Sequence, residues 1–199
     1  MSTLLDRLPI DAMAPFGVYG RSGEPGVVAV VREDLAIATL AARHGTAGAL
    51  KARVETAFGL TLADGPRAAG GPDLALLGTA PGRWLAVSQT RADLADELAD
   101  ALSEEAAITE QSDAVIAFDL AGPRVLDLLA KGVMVDLDPA VFKPGDVAVT
   151  DMAHIGATLW RTAETGYRVL VARSFAPAFS RFLVASAAEY GLRLDPGRG

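Results

Sequence analysis

The sequence predicts an α+β fold that consists of two ferredoxin-like βαββαβ-type repeats with antiparallel sheets. Short apolar runs that suit strands alternate with stretches of helical periodicity, and Gly and Pro separate them along the chain. The order of elements in the first half then recurs in the second half. Apolar residues make up 51% of the 199 residues, so the chain can bury a sizeable core, and each repeat is expected to place two helices on one face of its sheet.

The first repeat is predicted over residues 27–112. Its first helix, 46–58, carries an apolar stripe and ends at Gly59, which suits a left-handed C-cap. A Gly- and Pro-rich loop, 63–72, then leads to a β-hairpin and to a second helix that Thr90 is expected to cap. The predicted strands and the second helix are Val27–Val31, Leu35–Ala41, Leu74–Thr79, Trp84–Ser88, Arg91–Leu102 (helix) and Ala107–Glu110.

The second repeat is predicted over residues 113–199. It starts with the strand Ala114–Leu120, and a helix follows from Gly122-Pro123, because Pro is tolerated in a first helical turn. Three further strands precede a final helix that Ser174 is expected to cap. These later elements are Val147–Met152, Ala157–Arg161, Tyr167–Ala172 and the helix from Ser174 to about Tyr190.

The likeness of two segments is the main indication of a repeat. Pro81–Val87 in the first half and Thr165–Val171 in the second have the same pattern of a Gly turn followed by a strand, and each precedes a capped helix. Each repeat would bury the apolar faces of its two helices on an antiparallel sheet. The two repeats are expected to form one compact unit.

Residues 1–26 are predicted to form an extended N-terminal arm, because Gly and Pro disfavour a helix or strand across this span. The arm nevertheless carries many apolar side chains, namely Leu4, Leu5, Leu8, Ile10, Met13, Phe16 and Tyr19. A segment this apolar is expected to dock, either on the core of its own chain or on a partner protein. Phe16 and Tyr19 are the candidate partner-interface residues.

Composition excludes several classes of function. The formal net charge of −7 disfavours nucleic acid and anionic membrane surfaces as partners. The absence of cysteine excludes disulfides, thiolate metal sites and cysteine nucleophiles. The N-terminus lacks the pattern of a signal peptide, and no stretch of about 18 apolar residues could span a membrane. A cytoplasmic protein is expected.

The ionisable residues do not form a recognisable catalytic or metal-binding pattern. His44 and His154 lie far apart and lack further ligands at local spacing, so both are expected in surface turns. Asp136 and Asp138 are typical loop residues. The acidic cluster lies opposite the leucine stripe of the second helix and is expected to face water; it consists of Asp93, Asp96, Glu97, Asp100, Glu104 and Glu105.

Glycine-rich phosphate-binding motifs are also missing. The segments Gly20–Gly23 and Gly70-Gly71 match neither a P-loop nor a dinucleotide fingerprint, and Gly122-Pro123-Arg124 is expected to be a structural helix start. We therefore predict no catalytic, cofactor-binding or metal-ligating residue in this chain. That prediction favours a structural or binding role.

Three segments resemble the gamma subunit of heterotetrameric sarcosine oxidase. Asp113–Gly132 resembles that family's strand, Gly-Pro-Arg turn and helix; Asp136–Asp146 resembles its next loop; Arg173–Ala176 resembles the start of its last helix. The similarity is clearest over residues 110–190. It is the order and spacing of these motifs that make the resemblance specific.

The resemblance implies a fold similar to the folate-binding region of aminomethyltransferases. It also implies a non-catalytic structural subunit with alpha, beta and delta subunits as partners. Such complexes oxidise sarcosine to glycine, form hydrogen peroxide and pass the one-carbon unit to tetrahydrofolate. FAD, FMN, NAD and tetrahydrofolate would then be bound by the other subunits.

Two other functions remain open at this point. The chain could be a stand-alone aminomethyltransferase-like protein that binds a reduced folate between its repeats. It could also be a homo-oligomeric regulatory module in which ferredoxin-like sheets pair edge to edge. The acidic charge balance weighs against the first of these, because folate tails are polyanionic.

Overall fold

Two sheets and the helices that cover them form the framework of this protein. The computed structural model describes residues 12–63 and 65–197, and every element named here lies within them. The strands are β1 (Gly17–Tyr19), β2 (Val27–Arg32), β3 (Ala36–Ala42), β4 (Ala68–Gly70), β5 (Ala75–Ala80), β6 (Arg83–Ser88), β7 (Ala106–Glu110), β8 (Val115–Ala121), β9 (Val147–Met152), β10 (Ile155–Ala163), β11 (Gly166–Ala172) and β12 (Leu192–Pro196). The α-helices are α1 (Ala47–Phe58), α2 (Leu94–Leu102), α3 (Val125–Leu129) and α4 (Ala176–Ala187).

The first sheet is a ferredoxin-like unit. Its strands lie in the order β4-β5-β6-β3-β7, and every neighbouring pair is antiparallel. The chain runs β3-α1-β5-β6-α2-β7, which is the βαββαβ order that the sequence predicts, and the short strand β4 extends the sheet beyond β5. Antiparallel α+β architecture is therefore confirmed for this half.

The second sheet repeats the same unit with one strand inserted. Its order is β1-β12-β2-β8-β11-β10-β9, and the chain runs β8-α3-β10-β11-α4-β12, with β9 added beyond β10. In a simple repeat β12 would pair with β8. Instead β2 lies between them, antiparallel to β8 and parallel to β12, with Val30 opposite Asp119 and Val27 opposite Leu192.

The position of β2 corrects the predicted start of the first repeat at residue 27. Alternation of β-branched residues identifies a strand but not its neighbours, because pairing depends on contacts distant in sequence. Val27, Ala29 and Val31 are buried in the core of the second repeat, so β2 belongs there. The arm is corrected as well, since its residues 17–19 form β1 and pair with β12.

Three apolar cores hold four layers together in the order helix, sheet, sheet, helix. Leucines of α1 and α2 cover the five-stranded sheet around Leu40, Leu76 and Trp84. Helices α3 and α4 cover the seven-stranded sheet, where the Phe118 and Phe179 rings meet edge to face with centroids 4.8 Å apart. Between the sheets lies a smaller core, formed by Leu35, Ile37, Ala75, Leu77, Val87, Ala117, Val147 and Leu170.

Several element ends differ from the sequence prediction. Gly59 does end α1, with φ 68° and its N–H donating to the Glu55 carbonyl. Helix α2 begins at Leu94 rather than Arg91, because the Ser88 hydroxyl accepts the Thr90 and Arg91 N–H groups and holds them in a turn. A 3₁₀ turn, Arg173–Phe175, precedes α4 where a capping Ser174 is predicted. Strands β1, β4 and β12 are not predicted from sequence.

Gly122 permits the close approach of the α3 start to the β2 start. Its φ is 126°, which disfavours a side chain, and a Cβ there would collide with the Gly26 carbonyl oxygen. The Arg124 N–H donates to that same oxygen at 3.0 Å. This contact joins the arm to the Gly-Pro-Arg turn.

Replacing Gly122 with Ala should therefore destabilise the protein, whereas Gly48→Ala should stabilise it slightly. Gly48 lies in α1, and a Cβ there would meet nothing within 4 Å. We expect a loss of about 2 kcal/mol or more for Gly122→Ala, from strain and collision, and a gain of about 0.5 kcal/mol for Gly48→Ala. Urea unfolding measures both changes, and equal effects at the two positions would contradict this account of Gly122.

Candidate partner interface

The described part of the N-terminal arm packs on the core of its own chain. The Ala14 N–H donates to the hydroxyl of Ser180, a fully buried residue of α4, at 2.9 Å. Further along, the Arg21 and Gly26 N–H groups donate to carbonyls that follow α4, at 2.7 and 2.9 Å. The sequence leaves open whether the arm docks on its own chain or on a partner protein. These contacts show that residues 12–26 dock on the second repeat of their own chain. The apolar residues Leu4, Leu5, Leu8 and Ile10 lie outside the described residues.

The two predicted interface residues occupy different environments. Tyr19 packs against the core of the second repeat, its hydroxyl donates to the Pro15 carbonyl, and burial raises its pKa. Phe16 is 51% exposed, and Val18 in β1 is 63% exposed. The chain's own core thus accounts for Tyr19, whereas Phe16 presents an apolar ring to the outside. Contact of either residue with a partner stays a prediction.

The seven-stranded sheet extends beyond the five-stranded sheet that packs on it. From the seven-stranded sheet, strands β8, β9, β10 and β11 contribute residues to the core between the sheets. Among the described residues, β1, β12 and β2 contribute none. On these three strands the alternate residues, such as Ala29 and Leu194, point into the helix-side core. The others point to the opposite face and are wholly or partly exposed. We call this surface the open face; it comprises Val18, Val28, Val30, Arg193 and Asp195, together with the adjoining Ala121 at the end of β8.

Strand register places these residues in rows across the sheet. Val18 lies opposite Arg193, which lies opposite Val28, which lies opposite Ala121. The next row runs from Asp195 through Val30 to Asp119, Arg168 and Trp160. The second row therefore joins the open face to a set of charged groups, which lie where the five-stranded sheet begins to cover the seven-stranded sheet.

A network of arginines and aspartates forms this margin. Arg168 binds Asp119 in a bidentate manner, with Nε to Oδ1 at 2.5 Å and Nη2 to Oδ2 at 2.7 Å. Arg32 joins the network from β2, with Nη1 3.1 Å from Asp119 Oδ2 and a second bidentate pair to Asp34 at 2.7 and 2.8 Å. The Arg168 guanidinium also lies 5.7 Å from the centre of the Trp160 ring. These contacts join β2, β8, β10 and β11.

The pKa values at the edge of this network follow from the same hydrogen bonds. Hydrogen bonding to Arg32 lowers the pKa of Asp34 below its ordinary value, and the bond to Asp34 raises the pKa of Arg32. Both groups therefore stay charged over the whole physiological range. On the open face itself, Arg193 Nε pairs with Asp195 Oδ2 at 2.8 Å. Each of these charged groups has an opposite charge within its own chain.

A second buried arginine has a structural role. Arg161 in β10 is 1% exposed, and its guanidinium donates to the carbonyls of Phe142, Ala163 and Glu164. These bonds hold the loop before β9 against the β10–β11 hairpin. The cation is thus used to satisfy backbone oxygens and is not presented to a cleft.

A cleft of about 320 Å³ lies beside the connection between β2 and β3. Its charged lining groups already have partners: Asp34 pairs with Arg32, Glu33 with Arg173, and Arg91 with Asp73 and Glu97. With two carboxylates in its wall, the cleft does not fit a polyanionic folate tail. The lining residues are Glu33, Asp34, Leu35, Ala36, Ser88, Gln89, Thr90, Arg91, Ala92 and Ser112.

The histidines and carboxylates lie where the sequence predicts. His44 and His154 are exposed and occupy turns. Asp136 and Asp138 each accept a backbone N–H two residues further along, as loop aspartates do. The acidic residues of α2 face outward, opposite the buried Leu94, Leu98 and Leu102. Over residues 12–63 and 65–197, no group of three potential metal ligands comes together, and no helix is long and apolar enough to cross a membrane.

The glycine-rich segments serve chain packing, so they do not fit a flavin or dinucleotide phosphate. A Cβ on Gly20 would collide with the Ala188 carbonyl, and a Cβ on Gly70 would collide with the Leu74 carbonyl. The space at these glycines is filled by the chain's own backbone. A phosphate-binding loop would instead leave that space and its N–H groups to the ligand.

Sequence reasoning missed the ionic network and the open face. One signal was available: Asp119 and Arg168 each interrupt an otherwise apolar strand, in Val-Ile-Ala-Phe-Asp-Leu-Ala and Gly-Tyr-Arg-Val-Leu-Val-Ala. Opposite charges inside two apolar strands indicate a cross-strand pair. The open face had no comparable signal, because it depends on where β2 inserts.

Asp119→Asn should destabilise the protein by about 2 to 3 kcal/mol, because it leaves the guanidinium of Arg168, a 5% exposed residue, without its charged partner. For a chain of this size the loss corresponds to a melting temperature roughly 5 to 10 °C lower. The matched control is Asp96→Asn on the exposed face of α2, which should change stability by less than about 0.5 kcal/mol. Similar losses at both positions would contradict a structural role for the Arg168–Asp119 pair.

Asp34→Asn should cost stability in a pH-dependent way. Because the folded pKa of Asp34 is lowered, its carboxylate stabilises the fold fully above the ordinary aspartate pKa, near 4, and this stabilisation is lost as pH falls through the folded value. The difference between wild type and variant should be constant from about pH 8 to 5 and shrink below about pH 4. Urea unfolding across this range measures it, and a difference independent of pH would show that charge is not the cause.

Comparisons with known proteins agree with the fold and with the sequence resemblance. The family model "Sarcosine oxidase, gamma subunit family" matches residues 43–189. The sarcosine oxidase subunit gamma of Arthrobacter sp. is 29% identical over 193 residues, which cover 95% of this chain and 93% of that protein. The corresponding protein of Corynebacterium sp. (strain U-96) is 29% identical over 169 residues, which cover 83% and 82%.

Solved structures give the same result. A chain of the heterotetrameric sarcosine oxidase from Corynebacterium sp. U-96, in complex with pyrrole 2-carboxylate, matches with a TM-score of 0.76 and 28% identity, covering 85% of this chain and 87% of that chain. Aminomethyltransferase T of the glycine cleavage system from Bartonella henselae matches with a TM-score of 0.62 and 14% identity, over 86% of this chain and 48% of that one, and so shares the fold. The expected likeness to aminomethyltransferases is confirmed at the level of fold. Because the family model spans well over half of the sequence, the chain belongs to the sarcosine oxidase gamma subunit family.

Proposed function

We propose that this chain is the gamma subunit of a heterotetrameric sarcosine oxidase and that it is a structural, non-catalytic part of the complex. The observation that carries the proposal is the similarity to a chain of such a complex over 85% of this chain and 87% of that chain, with a TM-score of 0.76. The family membership supports it independently of the structure.

The use of the chain's interior charges supports a structural role. Arg161 holds loop carbonyls, while Arg168 and Arg32 hold Asp119. A catalytic acid or base would need access to a substrate, but these groups are engaged with one another or with the backbone. The two buried arginines of the described residues, Arg161 and Arg168, are thus used to stabilise the fold.

The partners of this chain would be the alpha, beta and delta subunits, and we expect the assembly in the cytoplasm. FAD, FMN, NAD and tetrahydrofolate would be bound by those other subunits. The complex would oxidise sarcosine to glycine, release hydrogen peroxide and transfer the one-carbon unit to tetrahydrofolate. The contribution of this chain would be to complete and hold the assembly in which that chemistry takes place.

Co-expression tests the proposal. With an affinity tag on this chain and the other oxidase subunits co-expressed, we expect four different polypeptides at equal stoichiometry in native mass measurements, together with flavin absorbance and sarcosine-dependent peroxide formation. The same tagged chain expressed alone should carry no flavin absorbance.

Two results would contradict the proposal. One is recovery of the tagged chain without any other subunit under conditions in which the remaining subunits are soluble. The other is binding of tetrahydrofolate by the isolated chain in calorimetry, with a dissociation constant in the range of about 1 to 100 μM typical of metabolite sites, since that would favour the stand-alone folate-binding alternative.

A further inference from the structure

We propose that the open face of the seven-stranded sheet is the surface through which this chain binds another subunit of the oxidase, and that the partner presents an uncharged, apolar surface there. The inference rests on the proposed function and names the contact surface. It places the interface on β1, β12 and β2, at the side of the sheet that the five-stranded sheet leaves uncovered.

Apolar side chains give this surface its character. Val18 is 63% exposed at the sheet edge, and Phe16, which precedes the same strand, is 51% exposed. Val28 on β2 lies in the same row as Val18, separated from it by Arg193 of β12. Val30 lies two residues along β2, opposite Asp195. β-branched side chains on an uncovered sheet face expose area whose burial is favourable, at about 25 cal/mol per Å².

The charges of the surface determine which partner fits. Arg193 pairs with Asp195 at 2.8 Å, and Arg32 pairs with both Asp34 and Asp119. A partner that covers these groups buries charges that are already neutralised and hydrogen-bonded. It therefore needs no countercharge, and any unpaired charge it brought would lose solvation without gaining a partner. The cores of protein interfaces are depleted of charged residues for this reason.

The surface is also held in place before binding. Strand β1 is fixed by its pairing with β12 and by the packing of Tyr19 against the core, and the bidentate Arg168–Asp119 pair joins β8 to β11 within the second row. A preorganised surface loses little conformational entropy on association. A rigid, neutral and partly apolar sheet face thus suits a permanent subunit contact.

Two exposed valines at opposite edges of the same sheet give a matched test. Val18 in β1 is 63% exposed and Val149 in β9 is 60% exposed, and register places both side chains on the same face. Each valine is replaced by Glu in the full chain, co-expressed with the other subunits, and the amount of this chain that co-purifies with a tagged partner subunit is measured. Because both positions are exposed, we expect the two isolated variants to melt within a few degrees of wild type.

Val18→Glu should reduce recovery of the chain in the complex by about tenfold or more, because a second carboxylate beside the Arg193–Asp195 pair gives the surface a net negative charge that an apolar partner would have to bury, while Val149→Glu should leave recovery unchanged. Val18→Ile, which keeps the apolar surface, should assemble like wild type. Equal recovery of Val18→Glu and wild type, or loss of assembly with Val149→Glu instead, would overturn the proposed surface.

The outcomes also separate the surface from the function. If wild-type chain never joins the other subunits, the proposed function fails, and this inference fails with it. If wild type assembles and Val18→Glu does too, the function stands and only the surface is wrong. If the isolated wild-type chain is a dimer in light scattering and Val18→Glu makes it a monomer, the occupant is a second copy, and the inference of another subunit is overturned.

Discussion

Strand β2 lies between β12 and β8, and this single pairing determines how the two halves of the chain meet. A simple ferredoxin-like repeat would join its last strand directly to its first. Here β2 separates them, pairing parallel on one side and antiparallel on the other. The second sheet gains width from β2 and from β1, which the arm adds beyond β12, so it extends past the five-stranded sheet. The uncovered face exists because of this insertion, and the arm that precedes β2 becomes part of the second repeat.

The ionic network stabilises the margin that the insertion of β2 creates between the covered and the open parts of the sheet. At this margin, Arg168 of β11 is buried, whereas Arg32 of β2 and Asp119 of β8 are only partly buried. An apolar margin would enlarge the exposed hydrophobic patch, and unpaired charges would be costly next to the inter-sheet core. The two arginines and two aspartates of the network, Arg32, Arg168, Asp34 and Asp119, have no net charge. Each guanidinium makes one bidentate contact, Arg32 with Asp34 and Arg168 with Asp119. The network therefore fixes the strands and leaves the surface without net charge.

Local features of this fold could be predicted from sequence, but the pairing of distant strands could not. Gly59 identified the end of α1 because a left-handed cap has few residue choices, and the leucine stripe of α2 identified its buried face. The strand at Val27 was also predicted, but its neighbours depend on Leu192 and Asp119, far along the chain. The exposure of Val18 follows from that pairing, so the candidate surface could not be derived before the sheet order was known. Phe16 and Tyr19 were chosen on apolarity alone, which does not distinguish a ring packed on its own chain from one that is exposed.

The two repeats thus share one architecture but differ in how their sheets are covered, and this difference bears on their roles. The five-stranded sheet has helices on one face and the other sheet on the opposite face, so its interior is closed within the chain. The seven-stranded sheet has the same two coverings only over part of its width. A chain that acted alone would gain stability from shielding Val28 and Val30, since a loop or helix over them would remove apolar area from water. Within residues 12–63 and 65–197 that face is open and the charges along it are paired with one another, which suits a surface that a partner subunit covers.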